Sequence, residues 1–252
     1  GTRLGALSCS KEILSVPAER PQTDALSAPR TDIEPVCAGA LRALERAGVT
    51  EARIVLRPAK EDISRVLGDR FGERLRLTYR WIEATSSLPE TVERGLADHP
   101  DRPIPLAFPD VRQRPLDVFP PLLARLAEQH ADVVLAAFPA ADPSGTEMVR
   151  FDEAGQLTDL EVRPARSDLR HNWLFAVWRP RFSRFLAEPL AQRLPDAPRR
   201  EPGLGERFVA AARQGMKVLV VPFDAGAYLD LGTPDRIAAW RSAPWPQGDA
   251  VE

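Results

Sequence analysis

Short apolar runs alternate with amphipathic helical stretches along most of this chain, and no other feature constrains its fold as tightly. Residues 35–47 carry Val36, Ala40, Leu41 and Leu44 at helical spacing, Gly48 stands where a helix C-cap is wanted, and Arg53-Ile54-Val55-Leu56 follows as a short buried strand. The same beat predicts a helix over 60–67, a strand over 75–81, a helix over 89–97, a strand over 104–108, a helix over 119–128 and the strongly apolar strand 132–138. Residues 149–151 and 156–161, joined through Asp152-Glu153-Ala154-Gly155, read as a hairpin. A strand over 173–178, a helix over 207–213, a strand over 218–223 and the segment Tyr228-Leu229-Asp230 complete the order, with no internal repeat. Helix and strand in alternation, with an antiparallel excursion late in the chain, predict an α/β fold.

A chain of 252 residues with 44% apolar content can bury a substantial core as a single domain, expected to span 1–252 with 241–252 as a tail. The net charge of −2 and pI near 6.1 give no basic footprint, so nucleic acid is not an expected partner. No apolar run approaches the roughly 18 residues that cross a bilayer and no secretory leader is visible, so no membrane partner is expected and the expected location is cytoplasmic. Cys9 and Cys37 make neither a disulfide framework nor a metal-ligand spacing, and read as reduced thiols. Lys11, Lys60 and Lys217 are the only lysines; Lys60 and Lys217 read as ordinary surface positions, which leaves Lys11 as the one whose setting suggests chemistry. His-Glu-x-x-His, Cys-x-x-Cys, Gly-x-Ser-x-Gly and the Walker loop are all missing.

Gly1-Thr2-Arg3-Leu4 opens the chain, and Ser10-Lys11-Glu12-Ile13-Leu14-Ser15-Val16-Pro17 follows. Backbone N–H groups around a glycine cradle oxyanions, an arginine grips two phosphate oxygens and a lysine supplies a point charge, so the three together favour a nucleoside triphosphate. These segments resemble the signature of the sugar nucleotidyltransferases, which usually reads Gly-Gly-x-Gly-Thr-Arg-Leu and later Pro-Lys-x-Leu-Leu-Pro-Val. Glucose-1-phosphate thymidylyltransferases and uridylyltransferases are the best-known members. The resemblance implies a Rossmann-like three-layer α/β fold, the nucleotide-diphospho-sugar transferase fold, with a mixed, mainly parallel sheet. In that family an apolar strand delivers the loop; that strand and the first two glycines are absent here, and about ten residues are expected upstream of Gly1. Residues 17–32 read as a loop longer than the family needs.

Phe108-Pro109-Asp110 closes the strand over 104–108 and places a carboxylate at the carboxyl edge of the sheet, where open α/β folds bind ligands. It is similar to the family's Leu-Gly-Asp, and Tyr228-Leu229-Asp230-Leu231-Gly232-Thr233-Pro234 resembles its Trp-x-Asp-x-Gly-Thr. Taken singly, Asp110 reads equally well as a loop residue and Asp230 as a turn cap. The resemblance implies that both aspartates carry Mg²⁺, which suits a hard cation that keeps several positions for water and phosphate oxygens. It further implies Gly1, Thr2 and Arg3 as the nucleotide loop, Arg3 on the β and γ phosphates, and Lys11 between the α-phosphate and the incoming phosphate.

Residues 83–89 stand where the family reads the base through a glutamine and a glycine, which makes Glu83, Ser87 and Leu88 nucleotide-binding candidates; Ser86 and Ser87 also read as the N-cap of the next helix. On the acceptor side, Val162-Arg163-Pro164 replaces the family's Glu-Lys-Pro, so Glu161 and Arg163 are candidate contacts. Glu147 takes the place of a glycine that admits the sugar, and Trp173, in His171-Asn172-Trp173, either borders the pocket or packs in the core. Residues 201–206 form a turn into a helix that is either an acceptor-site border or a linker.

The activity implied is transfer of a nucleotidyl group from dTTP or UTP to a sugar 1-phosphate, giving an NDP-sugar and pyrophosphate; the resemblance is also compatible with a homo-oligomer. Two other readings stay open. One is an enzyme of the same fold that uses CTP or a non-sugar phosphorylated acceptor, and the other is a catalytically silent paralogue that binds nucleotide or a partner.

Overall fold

A computed structural model describes residues 9–17, 33–96, 101–188, 203–233, 236–238 and 240. In chain order, strands β1 (Ser15–Pro17) and β2 (Ile33–Pro35) lead to helix α1 (Ala38–Arg46), strand β3 (Glu51–Leu56) and helix α2 (Glu61–Leu67). Strands β4 (Arg70–Phe71) and β5 (Leu75–Trp81), helix α3 (Leu88–Gly95), strands β6 (Ile104–Leu106) and β7 (Val111–Arg114) and helix α4 (Phe119–Glu128) follow. The second half contains strands β8 (Val133–Pro139), β9 (Glu147–Phe151), β10 (Leu157–Val162) and β11 (His171–Trp178) and helices α5 (Pro180–Ala187) and α6 (Leu204–Arg213). Strands β12 (Val218–Pro222) and β13 (Ala227–Asp230) close it.

Strand β8 is apolar throughout because both of its faces are covered. Val134, Ala136 and Phe138 enter one core with Leu41 and Leu44 of α1 and Leu122 and Leu126 of α4. Val133, Leu135 and Ala137 enter a second core with Val92 of α3, Phe182 and Phe185 of α5 and Leu204 and Phe208 of α6. Helices on both faces of a central sheet make three layers, as the sequence implies.

The sheet is mixed. β8 pairs with β12 in parallel, and in a separate three-stranded sheet β3 pairs with β5 in parallel. β11 runs antiparallel to β8 along one side and to β6 on the other, so β6, β8 and β12 share one direction. The antiparallel excursion expected late in the chain is the β9–β10 hairpin together with β11. Because β11 separates β6 from β8, direct neighbours among the described residues pair in parallel less often than a mainly parallel sheet would suggest.

Four strands, β1, β2, β4 and β7, and one helix, α5, lie where the sequence predicted no such element. β7 reads Val-Arg-Gln-Arg and lacks an apolar alternation, because Arg112 and Gln113 are both fully buried. β1 and β2 are three residues each and pair with one another, which moves the start of α1 to Ala38 from the predicted residue 35. α5 begins at Pro180, suited to a first helical turn, and buries Phe182, Phe185 and Leu186. The predicted loop beyond Pro17, to residue 32, and the tail at 241–252 fall outside the described residues.

A third, smaller cluster of Val16, Val36, Leu231, Ile237 and Trp240 joins β1 to the segment after β13. Arg112 crosses it fully buried: its Nη1 donates to Glu34 Oε1 at 2.5 Å, its Nη2 to the Pro35 carbonyl at 3.1 Å, and its guanidinium lies 5.7 Å from the Trp240 ring centre. Gly39 makes room for it, since a Cβ there would come within 2.9 Å of Arg112 Cδ. Both cysteines are free thiols, and burial pushes Cys37 up to about 12, which keeps it protonated and unreactive at neutral pH. No helix among the described residues is long and apolar enough to cross a membrane.

Candidate active site

The carboxyl ends of β6, β8 and β12 lie at one edge of the sheet, and the chemistry gathers there. Asp110 leaves the end of β6 through Phe108-Pro109 and enters β7, which pairs with β13 so that Val111 faces Asp230. The Leu231 N–H donates to the Asp110 carbonyl at 2.7 Å, which continues that ladder by one step. The backbones of two aspartates far apart in sequence thus lie one ladder step apart.

Lys11 reaches the same point from the other end of the chain. It begins a single 3-10 turn over Lys11–Ile13, and its ammonium pairs with the Asp110 carboxylate. Asp230 accepts from the Gly232 N–H at 2.7 Å and from Arg236 Nη1 at 3.2 Å, so cations flank both carboxylates. Lys11 and Asp110, drawn from separate segments, are thus in contact, and the backbone of Asp230 lies one ladder step away. Gly1, Thr2 and Arg3, the rest of the predicted phosphate loop, lie outside the described residues.

Phe108 links this pair to a second group, its ring centre lying 5.8 Å from that of Trp173. A bulge between Trp173 and Phe175 turns Trp173 onto the face of Ala176 and Trp178, where it packs against Phe208 of α6. The indole N–H donates to Glu147 Oε2 at 2.7 Å, and the Gly205 N–H in the first turn of α6 donates to the same oxygen at 3.0 Å. Trp173 is thus a core residue whose polar edge anchors Glu147. Gly203 and Gly205 are required there, because a Cβ on either would strike the Glu147 carboxylate.

Burial pushes the Glu147 carboxyl above its ordinary value, an effect that the Trp173 and Gly205 hydrogen bonds only partly offset. A carboxyl raised in the folded state favours the native form at pH below its unfolded value of about 4.5, and that contribution is lost as pH rises through the folded value. Glu147→Gln keeps an oxygen for both donors and removes the charge. Its thermal midpoint is therefore expected to match the wild type near pH 4 and exceed it at pH 8; a constant difference across that range would contradict this assignment.

Of the other predicted positions, Glu161 and Arg163 lie next to Glu147 across the β9–β10 hairpin, where Val162 pairs with Glu147, and residues 83–88 lie apart from them. Glu161 on β10 accepts from Ser167 Oγ at 2.6 Å and lies 3.7 Å from Arg150, and Arg163 has a positive φ of 46° with its N–H donating to the Thr146 carbonyl. Glu83 is exposed just past β5, Ser87 caps α3 by accepting from the Glu90 N–H at 3.2 Å, and Leu88 is exposed. The N-cap reading of Ser87 is therefore observed.

Sequence reasoning overlooked several members of the site. Lys60, read as a surface residue, pairs with buried Glu12, the neighbour of Lys11. Asn172 on β11 is buried with its Oδ1 lacking a hydrogen-bond partner, and its amide bonds to Tyr228, whose hydroxyl burial pushes above its ordinary range. Only the retention of lysine in a lysine-poor chain could have drawn attention to Lys60.

Comparison with solved structures decides the fold. A candidate glucose-1-phosphate thymidylyltransferase from Bacillus anthracis, in complex with sucrose, superposes with a TM-score of 0.71 at 13% identity, over 86% of this chain and 85% of that one. A UDP-glucose pyrophosphorylase complexed with UDP-glucose gives 0.70 at 15% identity, over 84% of this chain and 86% of that one. The chain has the nucleotide-diphospho-sugar transferase fold. An apo UDP-glucose pyrophosphorylase shares that fold with a TM-score of 0.67 at 14% identity, over 84% of this chain and 86% of the other. No family model and no curated protein sequence matches the chain.

Proposed function

We propose that the chain transfers a nucleotidyl group from a nucleoside triphosphate, dTTP or UTP, to a sugar 1-phosphate. The observation that supports this reading is the pairing of Lys11 with Asp110 at the carboxyl edge of the sheet, next to the β7–β13 ladder that carries Asp230. A phosphate oxygen of the acceptor attacks the α-phosphorus, the new P–O bond forms, and the bond to the β-phosphate oxygen breaks with its electron pair leaving on pyrophosphate. The protein supplies charge and in-line placement more than covalent chemistry. Lys11 neutralises the charge that gathers between the α-phosphate and the acceptor phosphate, and Arg3, with Gly1 and Thr2, holds the β and γ phosphates.

No group of three or more carboxylate, histidine or cysteine side chains that could hold a metal is found among the described residues, but Asp110 and Asp230 offer hard oxygen donors one ladder step apart. That set fits Mg²⁺, which takes one or two carboxylates and leaves its remaining positions to water and phosphate. When bound there the ion would screen phosphate charge. The Lys11–Asp110 pair is then the resting arrangement, each partner holding a place for the opposite charge of a nucleotide complex. Glu161, Arg163 and Glu147 border the acceptor, and residues 83–88 border the base, as the resemblance implies.

A thermal shift with each nucleoside triphosphate, with and without Mg²⁺, tests the donor half of this reading. Stabilisation that grows with nucleotide concentration and requires Mg²⁺ is expected. Stabilisation indifferent to Mg²⁺ would count against the paired aspartates as its holders.

A further inference from the structure

We infer that α2 and the turn before it act as a clamp that fixes Lys11, with Asp62 and Lys60 as positioning residues; their role in catalysis rests on the nucleotidyl-transfer reading. Both sequence neighbours of Lys11 are held from this one element. Asp62 accepts from the Ser10 N–H at 2.5 Å through Oδ2 and from the Ser10 hydroxyl at 2.7 Å through Oδ1. Lys60 donates to Glu12 Oε1 at 2.5 Å, and the Glu12 carbonyl accepts from the Cys37 N–H at 2.9 Å.

A three-residue 3-10 turn has little rigidity of its own, and a lysine side chain has much rotamer freedom to lose. Anchors on both sides fix the Lys11 backbone and leave only its side chain to travel toward Asp110. Lys60 has a second effect. Glu12 is only 8% exposed, and its carboxylate lies one residue from Lys11, where an unpaired charge would compete with substrate phosphate for the Lys11 ammonium. Lys60 neutralises that carboxylate and keeps Lys11 available.

The scarcity of lysine makes the clamp directly measurable, since Lys11, Lys60 and Lys217 are the only lysines among these 252 residues. In the full chain, acetylation by a small reagent read by mass spectrometry, with Lys217 as internal reference, should rise severalfold at Lys11 in Asp62→Ala and in Lys60→Met. It should return toward the wild-type level in Asp62→Asn and Lys60→Arg. With substrates, the two disruptive variants should lose about ten- to a hundredfold in kcat with little change in KM. In a Lys11→Ala background the same changes should cost almost nothing more, because their effect passes through that lysine.

Unchanged Lys11 acetylation in both disruptive variants would overturn the clamp, as would an equal loss of kcat with and without Lys11. Should the wild-type chain release no pyrophosphate from any substrate pair, the nucleotidyl-transfer reading fails, and acetylation alone decides the clamp. Asp62→Asn and Lys60→Arg, which preserve hydrogen bonding and charge respectively, keep the test informative if a disruptive variant does not fold.

Discussion

Asp110→Asn is expected to lower kcat about 100- to 1000-fold, the usual loss when one charge-placing group is removed from a phosphoryl-type transition state. The side chain keeps its shape and its hydrogen-bonding capacity, and only the negative charge disappears. The Mg²⁺-dependent stabilisation by nucleotide should weaken in this variant, since Asp110 is one of the two proposed holders of the ion. Asp230→Asn should cause a similar loss, and the double variant less than the product of the two, because both aspartates act on the same charge. Steady-state rates of the three variants with saturating substrates check this. A variant within a few-fold of wild type would remove Asp110 from the chemistry.

Arg112→Ala is expected to destabilise the chain by about 3 kcal/mol, the cost of breaking a buried ion pair and leaving Glu34 with only its part-exposed partner Arg42, and to lower the thermal midpoint by on the order of 10 °C. Glu34 is only 9% exposed and would lose its Arg112 partner, and the Trp240 face would lose its cation. Arg112→Met together with Glu34→Gln should recover much of the loss, because neither charge is then buried alone. Burial pushes the Glu34 carboxyl up, but Arg42 and Arg112 more than offset this and hold it below its ordinary 4.5. Its contribution to stability is therefore present above that value and lost as pH falls through the lower folded value. Thermal midpoints from pH 3 to 7 for wild type and Glu34→Gln should diverge at the upper end and converge at the lower one. Parallel curves would show that Glu34 carries no such linkage.

The central scaffold was legible because its strands have no solvent face. An apolar run such as 133–138 admits few readings between two helical stretches, and the hairpin turn announces itself through Asp152 and Gly155. β7 was not legible, because its two central residues are buried although polar: Arg112 meets Glu34, while Gln113, opposite Tyr228 in the ladder, has no hydrogen-bond partner for its side-chain amide. The orientation of Trp173 depends on a backbone bulge, which side-chain pattern does not encode. Lys11, Asp110 and Asp230 became candidates through their resemblance to known motifs, whereas Asp62 and Lys60 belong to a helix and the turn before it that carry no motif, and make contacts far apart in sequence.

Pyrophosphate release by the full-length chain with Mg²⁺, over a panel of nucleoside triphosphates and a panel of sugar 1-phosphates, tests the central claim most directly. Release that requires both substrates, is fastest with dTTP or UTP, and falls steeply in Lys11→Ala is the predicted result. Absence of release from every pair, by protein that still binds a nucleoside triphosphate, would contradict transfer to a sugar 1-phosphate and leave a nucleotide-binding chain with another acceptor or none.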